Sequence, residues 1–149
     1  MARFLPIHRK TLVCIPAEKL RDQTLNILVV DCDQIQIQSL ARGLKSKGHS
    51  VSTATSKAET YSALEKPGGN IHLLLTDLNV PHLNVFELIQ VARAKNKIFP
   101  TIIMTTFINQ ELRTKTQGDP FIALIEKPFV LEKLIQEINW FDNPQKSTN

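Results

Sequence analysis

Four apolar runs of strand length recur along the chain, and each ends on a polar side chain. "NILVVDCD" reaches Asp31, "IHLLLTD" reaches Asp77, "TIIMTT" reaches Thr105 and "ALIEKP" reaches Lys127. A strand with one wet face alternates apolar and polar residues. An unbroken apolar run reads instead as a strand buried on both faces, the pattern of a parallel sheet covered by helices. In such sheets ligands gather beyond the carboxyl ends of the strands. The pattern therefore predicts a site as well as a fold, assembled from Asp31, Asp77, Thr105 and Lys127. Two carboxylates, a hydroxyl and an ammonium converging there suit a divalent cation and a phosphoryl group better than an organic cofactor.

The spaces between the runs are filled by helical patterns. Strand runs are placed at 25–30, 71–75, 101–104 and 121–125, with "HSVSTAT" at 49–55 as a weaker, more polar strand. Ile37, Leu40, Ala41 and Leu44 follow the i, i+3, i+4, i+7 spacing and stop at Gly48. Tyr61 and Leu64 mark a short helix closed by "KPGGN". Val85, Leu88, Ile89 and Ala92 mark a third, with Asn84 as its N-cap. "NQELRTKTQ" is a polar fourth helix. In the fifth, Leu131, Leu134, Ile135 and Ile138 are predicted to face the sheet, with Glu132, Lys133 and Glu137 toward water. Strand–helix alternation repeated five times predicts an α/β fold, a doubly wound five-stranded parallel sheet. It occupies residues 25–140, after a basic extension at 1–24 and before a polar tail at 141–149.

Length and charge narrow the functions. At 149 residues the chain fits one domain with a real core. Of the formal +4 charge, residues 1–24 carry +3, from Arg3, Arg9, Lys10, Lys19 and Arg21 against Glu18 and Asp22. The predicted domain is thus nearly neutral, and nucleic acid is not an expected partner. No apolar run reaches the ~18 residues of a membrane span. Pro6, His8, Arg9 and Lys10 break any hydrophobic signal region. Two cysteines, Cys14 and Cys32, are too few for a disulfide scaffold or a zinc site and fit a reducing cytoplasm. His8, His49, His72 and His82 show no ligand spacing, and no Gly-rich nucleotide loop or Ser–His or Cys–His pairing is legible.

The motifs "ILVVDCD", "TDLNVPHLNVFEL", "PTIIMTTF" and "EKPF", in this order and at these intervals, resemble the receiver domain of two-component response regulators, over about residues 25–139. The resemblance implies a flavodoxin-like fold. It implies that Asp77 accepts a phosphoryl group as a covalent nucleophile, and that Asp31, Asp77 and the Asn79 main-chain carbonyl hold Mg²⁺, a cation that prefers oxygen ligands. Lys127 would pair with a phosphoryl oxygen, and the Thr105 hydroxyl would move toward another, pulling the following loop with it. The implied partners are a histidine kinase or phosphotransfer protein and a downstream protein target, met through helix four, strand five and helix five. The resulting expectation is a stand-alone cytoplasmic signalling switch and not an enzyme.

The chain departs from the family pattern at four places. Cys32 stands where the family has a second acid, and a neutral thiol is a poor ligand for Mg²⁺. Asp33 is acidic but lies one step past the site. Val85 stands at a frequent glycine, Thr106 at a frequent small residue, and Leu124 where many members carry an aromatic switch residue. A second reading follows from Cys32: a pseudo-receiver, an interaction module that binds Mg²⁺ and phosphate weakly or not at all. A flavin carrier of the same fold is disfavoured, because "DCDQIQ" is acidic and repels a flavin phosphate.

Overall fold

The computed structural model describes residues 24–142, so nearly all of the basic extension and most of the polar tail lie outside the described residues. Five strands alternate with five helices. They are β1 (Asn26–Val30), α1 (Gln34–Ser46), β2 (Ser50–Ala54), α2 (Lys57–Glu65), β3 (Leu73–Asp77), α3 (Val85–Ala94), β4 (Thr101–Thr105), α4 (Gln110–Thr116), β5 (Ile122–Glu126) and α5 (Leu131–Asp142). All neighbouring strands are parallel, in the order β2-β1-β3-β4-β5. The connection from β1 runs one way to β2 and the next crosses back to β3. In sheets of this kind ligands bind at that reversal, outside the carboxyl ends of β1 and β3.

Burial explains the apolar runs. Every residue of β3 and β4 is buried, as are four of the five in β1. Alternate side chains of one strand enter opposite layers. Ile27 and Val29 pack with Leu73, Leu75, Ile102 and Met104 beneath Ile37, Leu40 and Leu44 of α1 and Leu134 and Ile138 of α5. Leu28, Val30 and Leu74 point the other way, to Leu64 of α2 and Leu88 and Ala92 of α3. Each fully buried Leu or Ile contributes roughly 1.5–3 kcal/mol. The edge strand β2 is buried only at Ala54 and half-buried at Val51, which accounts for its polar sequence.

Local signals set the helix ends. Asp33, Ser56, Asn84 and Asn109 each accept backbone N–H bonds at the N-caps of α1 to α4. Gly48 follows α1 at φ +94°, a conformation that glycine adopts without a Cβ clash.

The structure differs from the sequence reading in three details. β3 begins two residues later than its apolar run and continues through Thr76 and Asp77, because pairing with β4 extends to Asp77 opposite Met104. The buried Thr76 hydroxyl is satisfied by donating to the Asp77 carbonyl at 2.9 Å. α5 runs past residue 140 to Asp142, and Phe141 is buried, edge-on to Trp140, so the polar tail starts later than expected. Glu137 is half-buried where water was expected, and burial raises its pKa above the usual carboxylate range. Among the described residues no helix is long and apolar enough to cross a membrane.

Candidate functional site

Asp31 follows β1 directly, Asp77 ends β3, Thr105 ends β4 and Lys127 follows β5. Parallel register therefore delivers all four to the same edge of the sheet. Three of them touch. The Lys127 Nζ donates to Asp31 Oδ2 at 3.1 Å and to Asp77 Oδ1 at 2.5 Å. The remaining carboxylate oxygens are held by backbone amides, Asp31 Oδ1 by the Asp33 N–H and Asp77 Oδ2 by the Asn79 N–H, each at 2.9 Å. Charged acceptors bonded in this way are fixed in place.

Both carboxylates are buried. Asp31 is 2% exposed and Asp77 9%. Burial pulls the Lys127 pKa down, but hydrogen bonds to Asp77 and Asp31 and the charge of both outweigh it and hold the ammonium above its ordinary value. Two carboxylates against one ammonium leave a formal charge of −1. The Lys127 N–H also donates to the Thr105 carbonyl at 2.7 Å, and the Lys127–Pro128 bond is cis.

Thr105 is at the same edge, but its hydroxyl is turned to the next loop. Its Oγ lies 3.3 Å from both the carbonyl and the N–H of Phe107. Asn79 is exposed and reaches Asp77 through its main chain. Cys32 is exposed and is a free thiol.

Asp33 is the residue whose role needed the structure. Its carboxylate accepts the N–H groups of Ile35 at 2.9 Å and Gln36 at 3.2 Å, making it the cap of α1. It is thereby committed to the helix, while its own N–H orients Asp31. The stretch Asp33-Gln34-Ile35-Gln36 has the spacing of a capping box, a signal visible in the sequence.

The oxygen donors fit a hard divalent cation sparingly. Mg²⁺ is held through one or two carboxylates with water completing its shell, and Asp31, Asp77 and the Asn79 carbonyl are the donors of that kind here. Among the described residues no group of three or more His, Cys, Asp or Glu side chains is placed to hold a metal ion.

The sequence matches the family model of the response regulator receiver domain over residues 27–139. The transcriptional regulatory protein PrrA of Mycobacterium tuberculosis is 31% identical over 116 residues, covering 75% of this chain and 47% of that protein. Sensor kinase CckA of Brucella abortus is 23% identical over 129 residues, covering 87% of this chain and 14% of that protein. The chain thus spans less than half the length of these curated relatives. Among solved structures, a receiver domain protein from Clostridium thermocellum superposes with a TM-score of 0.70 at 22% identity, covering 82% of this chain and 97% of that one. The chemotaxis protein CheY4 of Vibrio cholerae gives 0.67 at 23%, covering 77% and 96%. The structural likeness is one of fold, and the family match covers the strands and helices described above: the chain belongs to the response regulator receiver family of two-component signalling.

Proposed function

We propose that this receiver domain accepts a phosphoryl group on Asp77 from a histidine kinase or phosphotransfer protein and signals by protein–protein contact. The observation that carries the reading is the Lys127 ammonium held between the Asp77 and Asp31 carboxylates. A carboxylate oxygen of Asp77 attacks phosphorus, the bond from phosphorus to the donor nitrogen breaks, and the nitrogen leaves with the electron pair. Asp77 is held for that attack by the Asn79 N–H and Lys127. Lys127 then follows the charge onto a phosphoryl oxygen, as a flexible point charge can. The Thr105 hydroxyl leaves Phe107 for another phosphoryl oxygen and releases the loop, exposing the change to a partner. Asp31, Asp77 and the Asn79 carbonyl would hold Mg²⁺, which when bound neutralises the approaching anions. A small-molecule phosphodonor with Mg²⁺ is expected to add one phosphoryl mass by intact-protein mass spectrometry, and Asp77→Asn to abolish it. Undiminished labelling of Asp77→Asn removes Asp77 from the role.

One observation supports the pseudo-receiver reading, in which Cys32 stands for the family's second acid: the neighbouring Asp33 carboxylate is engaged at the helix cap. Losing one carboxylate from a hard-cation site weakens attraction and shell alike. Calorimetric titration with Mg²⁺ is expected to show weak binding by the native chain and clearly tighter binding by Cys32→Asp. Equal, tight binding by both discards the pseudo-receiver; no binding by either favours it.

A further inference from the structure

The domain is nearly neutral in sum but not in distribution. Each helix runs back from the carboxyl end of the sheet toward its amino end, so the loops entering and leaving helices lie at opposite ends. At the Asp77 end, the strand ends, the loops after them and the first helical turns hold eight Asp and Glu against Lys57, Lys127 and Lys133, a formal −5. At the amino end, the last helical turns and the loops after them hold Lys45 and Lys47 from α1, Lys66 from α2, Arg93, Lys95 and Lys97 from α3, and Arg113 and Lys115 from α4. Against these eight bases stand Glu65, Asp119 and Asp142, a formal +5.

Part of that charge serves the fold. Arg93 holds Asp119 through two bonds of 2.9 and 3.1 Å, Lys95 lies 4.0 Å from Glu65, and Lys97 donates to the Leu64 carbonyl at 2.8 Å. Lys45, Lys47 and Lys66 are exposed and form no ion pair among the described residues. They flank the entry of β1, Lys45 and Lys47 ahead of β2 and Lys66 ahead of β3. The Leu25 N–H donates to the His49 Nδ1 at 3.2 Å, and the Asn26 N–H donates to the His72 Nδ1 at 3.0 Å. The Asn26 side chain adds a bond to the Asn70 carbonyl at 2.9 Å. These bonds fix both lysine-bearing loops beside Leu25, where the basic extension, itself +3, joins the domain.

We propose that this end of the domain, together with the extension that enters it, binds an anionic lipid bilayer and holds Asp77 outward, away from the membrane. The two ends are separated by strands of five residues, roughly 16 Å at ~3.3 Å per residue. That is about two Debye lengths at physiological salt, so the acidic end does not cancel the attraction of the basic one. In the inverted approach the acidic end meets the headgroups and is repelled, which sets the orientation. The bases come from helices on both faces of the sheet, α1 in one layer and α2 and α3 in the other. Laterally mobile headgroups gather beneath such a scattered array, and each Lys or Arg near an anionic surface strengthens attachment about fivefold. The extension favours lipid over nucleic acid, because Phe4, Leu5, Ile7, Leu12 and Val13 are interleaved with its bases. A bilayer takes the bases at its headgroups and the apolar side chains at the acyl boundary, whereas a phosphodiester backbone uses the bases alone.

The test is co-sedimentation of the full chain with vesicles of phosphatidylcholine alone, or of phosphatidylcholine and phosphatidylserine in equal parts, at ~0.1 M and ~0.5 M salt. The native chain is expected to bind the mixed vesicles at the lower salt, and to lose most of that binding at the higher salt and on phosphatidylcholine alone. The triple variant Lys45→Glu, Lys47→Glu, Lys66→Glu reverses charge only at exposed side chains, and is expected to bind the mixed vesicles at least about tenfold more weakly. Circular dichroism checks that it folds. Should it not, the single variants Lys47→Gln and Lys66→Gln decide, each with an expected loss of about fivefold. No binding of mixed vesicles by the native chain, or equal binding by native chain and variants, overturns the proposal. So does release of the bound chain from vesicles by duplex DNA at equal phosphate concentration, which assigns the face to nucleic acid.

Discussion

Removing the ammonium from the site tests whether Lys127 balances the buried carboxylates. Lys127→Met keeps the length of the stem and deletes the charge. Asp31 and Asp77 then retain one backbone N–H each and face one another with no cation between them. Deleting one partner of a buried pair costs about 3–5 kcal/mol. The Lys127 side chain is 20% exposed, which lets water compensate in part, so about 2–4 kcal/mol is expected at pH 7. The pH dependence carries the mechanism. Two like charges in one site raise the pKa of one carboxyl above its unfolded value. The folded variant therefore binds a proton that the unfolded chain has already released, and its stability falls as pH rises from about 4 toward 7. Adding Asp77→Asn to Lys127→Met removes the unpaired charge and should restore most of the loss. Urea unfolding followed by circular dichroism at pH 4.5 and 7 measures all of these. A loss below about 0.5 kcal/mol at pH 7, or one equal at both pH values, refutes the argument.

The α5 helix supplies two further tests. Leu134 is fully buried among Leu25, Ile37 and Leu40, so Leu134→Ala is expected to cost about 2–5 kcal/mol in denaturant melts, and a loss under about 0.5 kcal/mol would contradict that packing. Burial raises the Glu137 pKa in the folded chain, so the folded chain holds this proton more readily than the unfolded chain and stability falls as pH rises through the raised pKa. Glu137→Gln is expected to raise the thermal midpoint at pH 7 and to leave it unchanged near pH 4; an equal effect at both would assign the gain to something other than charge.

The sheet was legible because burial on both faces writes itself into composition. The unbroken runs ending at Val30, Leu75 and Met104 follow from β1, β3 and β4 lying inside the sheet, and the polar "SVSTA" from β2 lying at its edge. The α1 and α3 faces were equally plain, since Ile37, Leu40, Ala41 and Leu44, and Val85, Leu88, Ile89 and Ala92, are the buried residues of those helices. Strand ends were less so. Hydrogen bonding between backbones carried β3 through Thr76 and Asp77 without regard to side-chain polarity. Glu137 illustrates the same limit, because a helical period assigns a face but not how closely neighbouring elements cover its margin.

By itself the sequence determined the alternation of strands and helices and the residue types at the strand ends, because periodicity and local capping act over a few residues. Tertiary structure alone decided which of those groups share bonds. Lys127 lies 96 residues from Asp31 and 50 from Asp77, and nothing local makes its ammonium bridge them. It also decided that His49 and His72 meet the adjacent amides of Leu25 and Asn26. Those contacts depend on register and strand order, which arise when distant segments pair and not within any one of them.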